Sequence, residues 1–220
     1  MKLRTLTKAL LDTLRRIKYD TYQKRYTALV DDFLKFTADP EAQAWLEAEF
    51  GEWVRDLPED LRDALVDYKN SAYDRLNDEL RNGFESDEHH QLDRAIASHT
   101  LREAVIAYRG IIDGDEGLHE FVEGAEVGDL GYWSLSLLEE VAWGFASTGS
   151  YPTARVVFRI FLDAGTTVIY AAAPDLVEEM HEYELLLPRS SKFRVIEPAQ
   201  LRTAKANNET YYLIDLELIE

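Results

Sequence analysis

The stretch "AVIAYRGI", Ala104–Ile111, divides the chain into two kinds of pattern. It is short, apolar and rich in β-branched residues, which reads as a strand. Upstream of Arg102 the apolar residues recur at helical spacing. Leu6, Leu10, Leu11, Leu14 and Ile17 form one such series, and Tyr22, Tyr26, Leu29, Val30 and Phe33 continue it. "ADPEAQAWLEAEFGEWVRDL" (38–57) opens on Asp39-Pro40, read as an N-cap followed by proline at the first helical position. "PEDLRDALVDYKNSAYDRLNDELRNG" (58–83) predicts one or two helices that stop at Asn82-Gly83. A further helix is expected over 88–99.

Downstream the period changes to that of strands. "GYWSLSL" (131–137) alternates, and "LLEEVAWGFAS" (137–147) predicts a short amphipathic helix. "ARVVFRIFL" (154–162), "TTVIYAA" (166–172), "YELLLPR" (183–189), "KFRVIE" (192–197) and "TYYLIDLELI" (210–219) read as strands between Gly, Pro, Ser and Asn punctuation. The expected fold class is α+β, a helical N-terminal part packed on a β-rich core. The expected division is residues 1–58, helical, and 59–220, the domain that carries the chemistry.

Composition narrows the function. At 46% hydrophobic residues the 220-residue chain can bury a core, and without cysteine it makes no disulfide and does no thiolate chemistry. The formal net charge of -18 opposes binding to a phosphate backbone, so a nucleic-acid partner is not expected. It leaves room for a local basic pocket. No apolar run reaches about 18 residues, and none resembles the apolar centre of a secretory signal peptide, so neither a membrane span nor that route is expected. The protein is expected in the cytoplasm at synthesis, with delivery to another cell or a host by a specialised route left open. "HEYEL" from His181 and "HEFVE" from His119 each lack the second histidine of a zinc-protease helix, and no metal site is expected. His89 and His90 in "SDEHHQ" read as surface residues.

Three polar interruptions of the strands carry the functional reading. Arg109 falls at the expected end of the first strand, before Gly110. Ser134 and Ser136 flank Leu135 and share one face of a second. Glu182 and Glu184 share a face of a third, where two like charges repel unless something compensates. Each has an ordinary reading alone: a snorkelling arginine, a half-exposed strand, a solvated face.

Together, in this order and with a helix after the serines, they resemble the Arg–Ser–Glu class of mono-ADP-ribosyltransferases, which includes clostridial-type exoenzymes and the enzymatic components of binary toxins. "YKNSAYDRLNDELRNG" (68–83) resembles the helix that precedes the catalytic core in that family, with its Asn-x-x-Leu-Arg element at Asn77 and Arg81. The family usually has Thr where this chain has Leu135. The resemblance covers roughly residues 60–220 and implies a mixed β-sandwich core. It also implies NAD+ as a substrate, cleaved at the nicotinamide–ribose bond, and no metal. Glu184 matches the catalytic glutamate. Glu182, where the asparagine-modifying branch has Gln, matches the arginine-modifying branch.

The resemblance assigns NAD phosphate to Arg109, with Arg81 and Asn77 as further cofactor-binding residues. Ser134 would hold Glu184, Ser136 would support the nicotinamide pocket, and the Gly110 backbone would meet the nicotinamide amide. "AAPDLVEEM" (172–180) corresponds to the acceptor-recognition loop, which puts Glu178, Glu179 and His181 on the acceptor side. "STGSYPTA" (147–154) corresponds to the phosphate–nicotinamide loop, with Tyr151 as a stacking residue. Implied partners are a protein substrate with an arginine acceptor and a delivery, adaptor or immunity protein bound by the N-terminal helices, as for a bacterial or phage toxin or effector. Two other readings stay open: an NAD+ glycohydrolase on the same site, and a catalytically inactive NAD- or partner-binding module.

Overall fold

The computed structural model describes residues 30–113, 118–146, 154–173, 176, 182–204 and 208–219. The expected helices before residue 30 lie outside them. Two compact units divide the chain, Met1–Leu34 and Lys35–Glu220. The second holds the sheet and the core.

Its first helix, α1 (Asp39–Asp56), buries Ala42, Leu46, Phe50 and Val54, one residue per turn along one face. The cap is Ala38, not Asp39. Asp39 and Glu41 stand in the first turn and Arg55 in the last, which suits the helix dipole. Glu49 on this helix is buried. Its carboxylate accepts from the Arg102 backbone N–H (2.9 Å), Arg102 Nε (2.9 Å) and His99 Nε2 (3.2 Å), tying α1 to the segment that leads into the sheet. Phe50 meets the Tyr170 ring at 6.1 Å between centroids, so α1 and the strands share one core.

The second helical stretch is continuous from Glu59 to Arg81 but not uniform. α2 (Glu59–Asp67) passes into a π-helical turn (Tyr68–Ala72) and then α3 (Tyr73–Arg81). Asn82 and Gly83, at φ 77°, end it where the sequence predicts. α4 (Asp87–Ile96) is capped by Ser86 and corrects the reading of His89. His89 is fully buried: its Nδ1 accepts the Ser86 N–H at 2.9 Å, and its Nε2–H donates to Leu76 O at 3.0 Å. A histidine at this position closes the helix start from inside; His90 is exposed.

The strands are β1 (Val105–Asp113), β2 (Glu126–Gly128), β3 (Trp133–Ser136), β4 (Ala154–Leu162), β5 (Ile169–Tyr170), β6 (Glu184–Leu187), β7 (Lys192–Thr203) and β8 (Thr210–Leu218). They form one mixed sheet in the order β2-β7-β8-β4-β1-β3-β6-β5, with β4 and β8 parallel. "TTVIYAA" contributes only two strand residues, and β7 runs past Pro198, which sits in the second of two register shifts, between Glu197 and Gln200.

The sheet is folded over rather than flat. β7 lies four strands from β3, on the order of 19 Å at the usual spacing of about 4.8 Å. Yet Trp133 and Phe193 have ring centroids 4.3 Å apart, and Trp133 also meets Phe158 at 6.0 Å. The three strands β3-β6-β5 therefore pack over the other five as the second layer of a sandwich. One register pair, Tyr108–Ser136, joins the two layers, against nine pairs between β1 and β4.

α5 (Glu139–Ala146) crosses β1 at Gly110. A Cβ there would lie 1.7 Å from Ala142 O and 2.9 Å from Ala146 N, both backbone atoms that cannot swing aside. Gly110→Ala is expected to cost about 3 kcal/mol through overpacking. In a chain of this size that lowers Tm by roughly 10 °C, which differential scanning calorimetry would register.

Candidate active site

A cleft of about 540 Å³ opens where the π turn, β1, β3, α5 and the start of β6 meet. Every predicted residue among those described borders it: Asn77, Arg81, Arg109, Gly110, Ser134, Ser136, Glu182 and Glu184. Tyr151, Glu178, Glu179 and His181 lie outside the described residues.

The two glutamates converge, but not by strand alternation. β6 begins at Glu184, and Tyr183 before it has φ 49°, the left-handed region that costs a side-chain-bearing residue roughly 1–2 kcal/mol. Glu182 is therefore in the turn, not on the strand. Such backbone strain is held only where surrounding contacts over-determine it. Here the Tyr183 side chain is buried, and its carbonyl accepts from Leu137 N at 3.2 Å.

The serine pair holds the glutamates by two different means. Ser134 Oγ donates to Glu184 Oε1. Ser136 Oγ donates to the Glu182 carbonyl at 2.7 Å and accepts the Leu138 N–H at 3.2 Å. One serine fixes a side chain, and the other fixes a backbone. Strand β3 can do both because residues two apart face the same way.

The cation of the pair is Lys69, which the sequence reading missed. From the π turn its ammonium reaches Oε2 of both Glu182 and Glu184. The Lys69 and Glu184 side chains are 10% and 6% exposed, and Glu182 at the mouth is 31% exposed. The trace in the sequence was the stripe that continues back from Asn77 in steps of four, to Tyr73 and then Lys69.

Arg109 lies in the middle of β1, not at its end. It is half-buried, with Nη1 donating to Ser134 O at 2.9 Å and the guanidinium 5.1 Å from the Trp133 ring centroid. Burial pulls the guanidinium below its ordinary range, opposed by Tyr68, Asp129 and Glu184. A cation so stripped of water gains from an anionic ligand.

Asn77 is a brace. Its Oδ1 accepts the Tyr132 N–H at 2.7 Å, and its Nδ2 donates to the Tyr68 hydroxyl at 3.1 Å. Gly131 makes the first bond possible, since a Cβ there would stand 2.5 Å from Asn77 Oδ1. Arg81 is held in a fork by Asp129, at 2.7–3.1 Å, and by Asp78 at 3.0 Å. Tyr68 is buried against Tyr132, and burial pushes its phenol well above the ordinary tyrosine range.

Among the described residues, no group of three or more acidic or histidine side chains could hold a metal ion, and no helix is long and apolar enough to cross a membrane.

Comparison with known proteins matches residues 42–220 to the sequence profile of the ADP-ribosyltransferase exoenzyme family. No curated protein matches the sequence. Among solved structures the fold is similar to Plx2a, an ADP-ribosyltransferase toxin from Paenibacillus larvae, at a TM-score of 0.66 and 19% identity, over 86% of this chain and all of that one. It is similar to the C3 exoenzyme of Clostridium limosum (0.63, 24%, over 87% and 100%). It is also similar to C3stau2 of S. aureus, solved with NAD (0.64, 19%, over 86% and 99%).

Proposed function

The chain belongs to the ADP-ribosyltransferase exoenzyme family, and from that premise we propose that it transfers ADP-ribose from NAD+ to an arginine side chain of a protein, as a toxin or effector. The observation that carries the acceptor assignment is the carboxylate at position 182, joined through Lys69 to the buried Glu184.

NAD+ enters as substrate, and the cleft suits it. Arg109 offers a desolvated guanidinium fork for phosphate, with Arg81 as a second cation lining the same cleft. For Arg81 to bind phosphate, it must share its donors with Asp129. The bond that breaks joins ribose C1′ to the nicotinamide nitrogen. Its electron pair leaves with the ring, which departs neutral, so no acid is needed. The ribose becomes oxocarbenium-like, as in glycoside hydrolysis. Glu184 faces that positive charge with a carboxylate already aimed by Ser134. A guanidinium nitrogen then bonds to C1′, and the proton it sheds passes to Glu182 or to solvent.

Within this reading residues 59–220 form the catalytic domain. Residues 1–58 serve to bind a delivery, adaptor or immunity partner.

The test is incubation with NAD+ and host lysate, followed by mass spectrometry of modified peptides. ADP-ribose on arginine is the expected result. Nicotinamide release without any modified protein would assign a glycohydrolase instead, and no release under any condition would assign a binding module.

A further inference from the structure

An exposed lysine on an amphipathic helix needs no explanation, but Lys69 is neither exposed nor on a regular helix. It stands in the π turn between α2 and α3, a rare arrangement frequent at functional sites. Its ammonium bridges one oxygen of each glutamate, and Ser134 takes the other oxygen of Glu184. Several charged or titratable groups surround the trio. Arg109 on β1 and Tyr68 on the π turn face Glu184. Tyr73, hydrogen-bonded to Asp74, faces Lys69 and Glu182. Burial pulls the ammonium down, but Glu184 and Glu182 more than offset it and hold Lys69 above the ordinary lysine range.

We propose that Lys69 is a positioning residue: a resident counter-cation that keeps Glu182 and Glu184 converged before substrate arrives. The inference rests on the reading of this cleft as the site of NAD+ cleavage. Two carboxylates held this close repel strongly in a partly buried site. Neither serine supplies a positive charge. Arg109 lies across β3, bonded to the Ser134 carbonyl. Among the described residues, Lys69 alone touches both carboxylates.

The consequence is visible against pH. Lys69→Met keeps most of the length of the side chain and removes the charge, so the two carboxylates then repel with no cation between them. Glu184 acts as an anion, so activity is lost on the acid side. The acid limb of kcat/KM for nicotinamide release is expected to move up by about one pH unit or more. Lys69→Arg, which keeps the charge, is expected to restore it. In Lys69→Met/Glu182→Gln only one carboxylate remains, and the limb is expected to return toward its original position.

An acid limb in Lys69→Met that overlays the parent, with Tm also unchanged, would overturn the proposal. If Lys69→Met melts below the assay temperature, the double variant decides: recovery of folding supports the repulsion account, and equal instability overturns it. Glu184→Gln, run alongside, separates the two levels of inference. Full activity there would sink the NAD+-cleavage reading itself, whereas an inactive Glu184→Gln with an unmoved Lys69→Met would sink only the counter-cation.

Discussion

Glu184→Gln is expected to lower nicotinamide release by about a thousandfold while NAD+ still binds. The substitution is close to isosteric: the amide oxygen can accept from Lys69 while the amide NH2 donates to Ser134 Oγ, so the local geometry survives. What disappears is the negative charge that the proposed reaction sets opposite the ribose. Preorganised charge acts most strongly where water is excluded, and removing one such group from a buried site costs about 10²–10³ in kcat. Glu184 is 6% exposed, which places the effect at the upper end. The measurements are kcat for nicotinamide release and NAD+ affinity by titration calorimetry. Activity within tenfold of the parent would refute the role given to Glu184. Loss of NAD+ binding would instead show that the variant had damaged the cleft.

Glu182→Gln is expected to divide two activities that Glu184→Gln removes together. Glu182 is the more exposed of the pair and sits in the turn before β6, where an incoming side chain can reach it. A carboxylate there orients a guanidinium and takes its proton; an amide does neither. General-base assistance contributes about 10²–10⁴-fold, so arginine modification is expected to fall by about a hundredfold or more. Water-directed NAD+ cleavage draws only on Glu184 and is expected to stay within about threefold. The Ser136 bond runs to the Glu182 backbone carbonyl, so the substitution leaves that clamp in place. Parallel assays of peptide modification and nicotinamide release decide the matter, and equal loss in both would contradict separate roles for the two carboxylates.

Much of this was legible because the strands announce themselves locally. "ARVVFRIFL" and "TYYLIDLELI" are strands almost to the residue, and Asn82-Gly83 marks a helix end through the one residue type at ease with positive φ. The polar residues that border the cleft could be found because they interrupt apolar runs.

What stayed hidden has no local signature. The meeting of Trp133 with Phe193 depends on how a whole sheet curls, which no window of sequence records. Tyr183 at positive φ runs against its own propensity, so a regular strand was the natural expectation for Glu182. Lys69 reads as a solvated charge until a π turn and a distant pair of glutamates turn it inward. His89 misled for the same reason: a polar residue beside a helix start looks exposed unless its partners are known, and these are two main-chain groups and the Ser86 hydroxyl.

The single pair between Tyr108 and Ser136 gives the site a mechanical character. Arg109 belongs to one layer of the sandwich, while Ser134 and Glu184 belong to the other, and the seam between them carries one strand pair and the Arg109–Ser134 hydrogen bond where β1 and β4 have nine pairs. A molecule gripped by Arg109 at its phosphate and faced by Glu184 at its ribose would span that seam as a rivet spans two plates. Its arrival would show as stiffness, a gain in resistance to shear between the layers, and its departure in two pieces would hand that compliance back.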